Sequence, residues 1–208
     1  MTQETMGILR AHPVLAILRG VTPGEVLAVA EVLLQAGFRV IEVPLNSPSA
    51  LDSISLLARA MKADVVVGAG TVLTVDQAKA CAESGARLIL SPNLNPAVVR
   101  QTVSLGLTSM PGVATASEGF AALEAGAHAL KWFPADVLGT ASVKAWRAVF
   151  DPATAFYCVG GVAADNMAAF RRVGASGVGL GSSLYQPGIA LDELARRAAL
   201  MLAAWAAN

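Results

Sequence analysis

Histidine and cysteine are scarce in this chain, with two of each. His12 and His128 are isolated, and Cys81 and Cys158 fall in different kinds of segment. Such a set gives no disulfide framework and no zinc-ligand spacing. Carboxylates do not cluster at metal spacing either, so neither a metal nor a cofactor is expected. Net charge is also missing, because 15 basic residues balance 15 acidic ones. A neutral chain has no electrostatic footprint for nucleic acid or for an anionic membrane surface. No uninterrupted apolar run approaches the length of a membrane span. The first ten residues carry Glu4 and no long apolar stretch, which argues against a signal peptide. A soluble cytoplasmic protein is the default expectation.

What is present is apolar sequence in short pieces. The chain has 208 residues, of which 55% are hydrophobic and 14% charged. That suits one large core, so residues 1–208 are read as a single domain. A helical segment, a glycine and a short apolar strand recur in that order. The glycines are Gly37, Gly85, Gly106, Gly126 and Gly174. Glycine just past a helix end is the left-handed cap. Helix starts are marked by Thr22-Pro23-Gly24-Glu25, Ser47-Pro48, Thr74 with Gln77, Asn95-Pro96 and Thr115 with Glu118. The pattern predicts a helix over about residues 2–11 and eight strands. The strands fall near 14–19, 38–43, 65–69, 87–91, 107–111, 127–133, 154–159 and 176–180. Eight close βα units favour a single-domain (β/α)8 TIM barrel with an extra N-terminal helix over an open doubly wound sheet.

One lysine stands out. Lys131 sits within Ala129-Leu130-Lys131-Trp132-Phe133-Pro134. Burying an ammonium without a partner costs several kcal/mol. Desolvation favours the neutral amine, which can attack a carbonyl and form a Schiff base. The competing reading is a lysine at a strand end whose head group reaches solvent or a carboxylate. Alternation along the strands puts Lys131, Ala129 and Phe133 on one face, and Glu42 on a face with Val40 and Pro44. If both faces point inward, lysine and glutamate share one apolar chamber. A buried ion pair that serves only packing is the alternative to a reactive pair.

In a barrel of this kind the site lies at the C-terminal strand ends. Arg19 ends the first strand as either a solvated charge or an anion clamp. Thr71 follows Gly68-Ala69-Gly70 as either a helix-entry residue or a hydroxyl donor. Gly160-Gly161 after the seventh strand and Gly181-Ser182 after the eighth fit the usual phosphate-binding place. An amine that captures a ketone, a carboxylate that moves protons and a distal phosphate cradle together describe a class I aldolase.

Nearly the whole chain resembles the KDPG/KHG family of Schiff-base aldolases. The most specific pieces are residues 41–48 (Ile-Glu-Val-Pro-Leu-Asn-Ser-Pro), 68–72 (Gly-Ala-Gly-Thr-Val), 130–134 (Leu-Lys-Trp-Phe-Pro) and 159–161 (Val-Gly-Gly). The resemblance implies Lys131 as the Schiff-base residue and Glu42 as the general acid/base. It implies substrate contacts from Arg19, Thr71, Pro92 and Phe133, and phosphate contacts from Gly160, Gly161, Gly181 and Ser182. The substrate would be a 2-keto-3-deoxy-6-phosphosugar acid, and the products pyruvate and glyceraldehyde 3-phosphate. Asn46 and Val159 stand where gluconate-type members usually have arginine and threonine. They point to the galactonate-type branch, with a gluconate-type or dual-specificity enzyme as the alternative. Trp132 and Ala163 also depart from the usual pattern. The family implies a homotrimer. More remote readings are a phosphosugar isomerase or synthase with an electrostatic Lys131, and a non-catalytic phosphosugar-binding barrel.

Overall fold

The computed structural model describes residues 1–207. Its strands are β1 (Val14–Ile17), β2 (Val40–Pro44), β3 (Val66–Gly70), β4 (Leu88–Leu90), β5 (Thr108–Met110), β6 (Gly112–Val113), β7 (Leu130–Trp132), β8 (Phe156–Val159) and β9 (Gly177–Leu180). All pairings are parallel, in the order β5-β4-β3-β2-β1-β9-β8-β7-β6. The two ends of this order, β5 and β6, are consecutive in the chain. They are halves of the expected fifth strand, separated by Pro111. Proline has no N–H to give to a ladder, so strands break there. β5 stays with β4, and β6 stays with β7. The Pro111 carbonyl still accepts from the Lys131 N–H at 2.9 Å. The expected (β/α)8 barrel therefore forms, nearly closed, with nine strand segments in place of eight.

Short βα units put helices around this sheet. They are α1 (Thr2–Ala11), α2 (Val26–Ala36), α3 (Ala50–Ala60), α4 (Val75–Glu83), α5 (Pro96–Ser104), α6 (Ala116–Glu124), α7 (Ala135–Arg147), α8 (Met167–Arg172) and α9 (Leu191–Ala206). The capping boxes at Thr74 and Thr115 form with both reciprocal bonds, and Asn95 caps α5 ahead of Pro96. Two expected starts are displaced. At the Thr22 box, Glu25 Oε1 accepts from the Thr22 N–H and hydroxyl, but the helix begins only at Val26. Ser47 does not cap α3. Its Oγ accepts from the Gly20 N–H at 2.9 Å, tying the end of β2 to the end of β1, and α3 starts after Ser49. The five helix-ending glycines all have positive φ, as their positions after helices predict.

Alternation sorts the side chains as expected for a barrel covered on both faces. Leu15, Val40, Val66, Leu88, Leu90, Met110, Ala129 and Tyr157 pack together in the interior. Leu9 of α1 joins this cluster, and the Tyr157 hydroxyl donates to the Leu9 carbonyl at 3.0 Å. The extra helix thus seals the N-terminal mouth and leaves the other mouth for function. Trp132 belongs to the outer layer against the helices, edge-on to Trp146.

Gly177 on β9 marks the tightest part of the sealed end. A Cβ there would collide with the Pro13 carbonyl oxygen and the Tyr157 ring. Gly177→Ala should lower the urea unfolding midpoint by the equivalent of about 1–3 kcal/mol, the usual cost of overpacking. An unchanged midpoint would mean that β9 can move away from Tyr157 without loss.

Candidate active site

Lys131 projects into the barrel and is 4% exposed. Its Nζ lies 4.9 Å from the centre of the Phe133 ring, as two side chains on one strand face should. Burial pushes its pKa down from the usual lysine value, more than the opposing pull of Glu42 allows for, and Arg19 adds to the depression. The sequence alone left a solvated head group open as an alternative. Burial to this degree removes it.

Glu42 is 1% exposed on β2. Burial drives its carboxyl pKa up, while Lys131 and Arg19 pull it back. Its Oε2 has no hydrogen-bond partner, and no ion pair joins it to Lys131 among the described residues. A closed pair that only fixes packing is therefore not what forms. The two groups feel each other across a gap. The Glu42 side chain lies against Gly70, where any Cβ would overlap the carboxylate. Thr71, directly after Gly70, holds φ 55°. A β-branched residue in that region is strained by about 1–3 kcal/mol, which clusters at functional sites.

A cavity of about 440 Å³ opens at the C-terminal ends of β1, β7, β8 and β9. Eight of the expected residues line it: Arg19, Lys131, Phe133, Val159, Gly160, Gly161, Gly181 and Ser182. Four do not. Glu42 lies against Gly70, the last residue of β3. Thr71 is half-buried beyond β3. Pro92 packs its backbone on Gly112, the β6 residue paired with Lys131. Asn46 is exposed, and its Oδ1 accepts from the Arg19 guanidinium at 2.6 Å. Ile17, Gly179, Val162, Ala163 and Ser183 also line the cavity. Ile17 and Gly179 were accessible to the alternation rule, two residues before Arg19 and Gly181. Val162 and Ala163 carry no such signal.

The glycine loops show how an anion could be held. Their carbonyls are occupied. Gly160 O accepts from the Asp136 N–H, Gly161 O from Asn166 Nδ2 and Val162 O from Ser183 Oγ. Gly181 O accepts from the Leu184 and Tyr185 N–H groups, and Ser182 O from Gln186 Nε2. A planar peptide turns its N–H opposite to its carbonyl. The N–H groups of Gly161, Val162, Ser182 and Ser183 meet no protein acceptor among the described residues. Consecutive backbone donors without acceptors suit a phosphate or carboxylate.

Among the described residues, no group of three or more His, Cys, Asp or Glu side chains could hold a metal. No helix among them is long and apolar enough to cross a membrane.

The raised pKa of Glu42 predicts a pH dependence of stability. Above the ordinary carboxylate value near 4.5 the unfolded chain has lost this proton while the folded chain still holds it. Stability then falls as pH rises through that window. Glu42→Gln removes this contribution. Relative to wild type, its urea midpoint should rise as pH rises above the ordinary carboxylate value near 4.5. A margin constant with pH would contradict the buried-carboxyl assignment.

Comparison with known proteins agrees with this fold. The family model for KDPG and KHG aldolase matches residues 6–199. The chain is 44% identical, over 193 residues, to 2-dehydro-3-deoxy-6-phosphogalactonate aldolase of Escherichia coli strain K12, covering 93% of this chain and 94% of that protein. A solved structure described as native KDPGal superposes with a TM-score of 0.91 at 44% identity, covering 93% of this chain and 94% of the other. A KDPG aldolase from Legionella pneumophila, described with pyruvate captured as a covalent carbinolamine intermediate, superposes with a TM-score of 0.82 at 29% identity. It covers 96% of this chain and 95% of its own. The chain belongs to the KDPG and KHG aldolase family.

Proposed function

We propose that this protein is a class I aldolase that cleaves 2-dehydro-3-deoxy-6-phospho-D-galactonate to pyruvate and D-glyceraldehyde 3-phosphate. The observation that carries the reading is the desolvated Lys131 amine in a cavity rimmed by the two glycine loops. Neutral amine attacks the C2 ketone and forms a carbinolamine. Loss of water gives the iminium. Removal of the C4 hydroxyl proton then lets the C3–C4 bond break, with its electron pair drawn onto the iminium nitrogen. The aldehyde departs, the enamine is protonated at C3, and hydrolysis releases pyruvate and Lys131. The iminium is the electron sink, so the reading needs no metal.

Glu42 is the proton carrier, acting through water. Its raised pKa suits a group that must both take and return a proton. Arg19 and Thr71 bind the substrate, and Phe133 and Pro92 shape the keto-acid end. Gly161, Gly181 and Ser182, supported by Gly160, take the phosphate. Asn46 and Val159 choose the epimer. Val159 lines the cavity with a methyl where a threonine would present a hydroxyl, and a C4 epimer moves one hydroxyl. The gluconate epimer is the competing substrate. The working assembly is a homotrimer in the cytoplasm. Phe120 and Val149, 50% and 60% exposed, offer apolar surface for such contacts.

Borohydride treatment with pyruvate should leave a reduced adduct on Lys131, detected by mass spectrometry, and none in Lys131→Ala. Absence of the adduct in the wild type would sink the Schiff-base reading. Glu42→Gln should still form the adduct but lose about 100-fold or more in kcat, as removal of a general acid/base does. Comparison of kcat/KM for the two epimers tests the branch. A preference for the gluconate epimer would refute the roles given to Asn46 and Val159. Sedimentation equilibrium should return three times the chain mass, and a monomer would exclude the proposed assembly.

A further inference from the structure

The side chains of Asn166 and Ser183 have no role assigned so far, although Ser183 lines the cavity and its backbone N–H is one of the free donors. Asn166 is half-buried just before α8. It does not cap that helix but reaches back to the loop after β8. Its Oδ1 accepts from the Ala163 N–H at 2.9 Å, and its Nδ2 donates to the Gly161 carbonyl at 2.8 Å. One amide side chain thus brackets the Gly161–Val162–Ala163 backbone from both ends. Ser183, in the loop after β9, donates its hydroxyl to the Val162 carbonyl between them at 2.8 Å. The two glycine loops are joined through that bond.

The consequence follows from peptide planarity. Holding the Gly161 carbonyl toward Asn166 turns the Val162 N–H the opposite way. Holding the Val162 carbonyl toward Ser183 leaves the Ala163 N–H facing Asn166 Oδ1, where it is satisfied. Gly160 and Gly161 both lie at positive φ, 98° and 64°. Glycine in that region also has other conformations open to it, so its peptides rotate freely unless something fixes them. The residues that give the loop its shape cannot by themselves hold it. The side chains of Asn166 and Ser183 supply that restraint.

We infer that Asn166 and Ser183 are positioning residues for the anion cradle. They fix the Gly161–Val162 peptide and the Val162–Ala163 peptide after it, so that the Val162 N–H remains available to the substrate phosphate, while the Gly161 N–H is set by the bond of the Gly160 carbonyl to the Asp136 N–H. They touch no reacting atom and act only through the loop. The inference rests on the phosphate assignment of the proposed function, and the two can be told apart.

Two measurements test it. The first is titration with inorganic phosphate, followed by phosphorus NMR, which reads the cradle without turnover. Wild-type protein should bind phosphate. Asn166→Ala should weaken binding about ten-fold or more, a change equal to about 1.4 kcal/mol. Ser183→Ala should weaken it in the same direction, and Ser183→Thr, which keeps the hydroxyl, should restore it. The second is steady-state cleavage of the 6-phosphorylated substrate beside borohydride trapping of pyruvate, which has no phosphate. Asn166→Ala should raise KM with kcat close to wild type and leave the trapping rate unchanged. A wild type that does not bind phosphate, or an Asn166→Ala that binds it equally well, overturns the inference. So does equal damage to pyruvate trapping, which would mean a general structural role. A wild type that binds phosphate but does not cleave the substrate would instead overturn the proposed function and leave the positioning role intact.

Discussion

Lys131 is held out of water on the inner face of a parallel barrel, and much of the structure serves that condition. An ammonium in this position loses its hydration and finds no carboxylate in contact, so the neutral form gains. The barrel supplies the dryness. Helices cover its outside, α1 closes one mouth with Leu9, and the layer of Leu15, Val40, Val66, Leu88 and Tyr157 fills the floor beneath the lysine. Glu42 shares the same condition with the opposite chemistry. Desolvation favours its neutral acid as it favours the neutral amine of Lys131, and each partly corrects the other at a distance. Shifts of this kind, a carboxyl raised and an amine lowered, suit a reaction that passes protons back and forth.

Glycine makes the room that these side chains need. Gly70 leaves space for the Glu42 carboxylate, Gly177 for the Tyr157 ring, and Gly179 for Val159 and Ile17. A barrel this small could not hold a lysine, a glutamate and a ligand if every inward position carried a side chain. Omission on β3 and β9 lets β2, β7 and β8 fill the interior. The same omission continues past the strand ends, where Gly160, Gly161 and Gly181 expose backbone to the cavity. There the polar work passes from side chains to peptide groups. The loop carbonyls are spent on the protein while the N–H groups of Gly161, Val162, Ser182 and Ser183 are not, and the proposed anion cradle rests on those donors and not on a cluster of cations.

Arg19 shows how charge is used sparingly. It is exposed at the rim, and its guanidinium is held by the neutral amide of Asn46. A carboxylate in place of Asn46 would neutralise that charge. An amide orients the fork and leaves its charge uncompensated.

The sequence alone determined most of the architecture. The order of apolar runs, caps and glycines fixed eight βα units and a leading helix, because local conformational preference and burial pattern agree at almost every boundary. It also singled out Lys131, Glu42 and the two glycine loops, Gly160-Gly161 and Gly181-Ser182, since each breaks the apolar pattern at a predictable strand position. Local rules failed where a partner distant in sequence competed for the same group. Ser47 reads as a helix cap but bonds to Gly20. The break at Pro111 is of another kind, because the missing N–H that divides the strand is a local property of the sequence. Only the tertiary structure decided that Glu42 and Lys131 form no ion pair, that the Glu42 carboxylate lies against Gly70, and that Asn166 and Ser183 grip one loop from two sides. Those outcomes depend on distances between separate βα units. Strand alternation says which way a side chain points, but closure of the barrel sets how far apart the side chains stand.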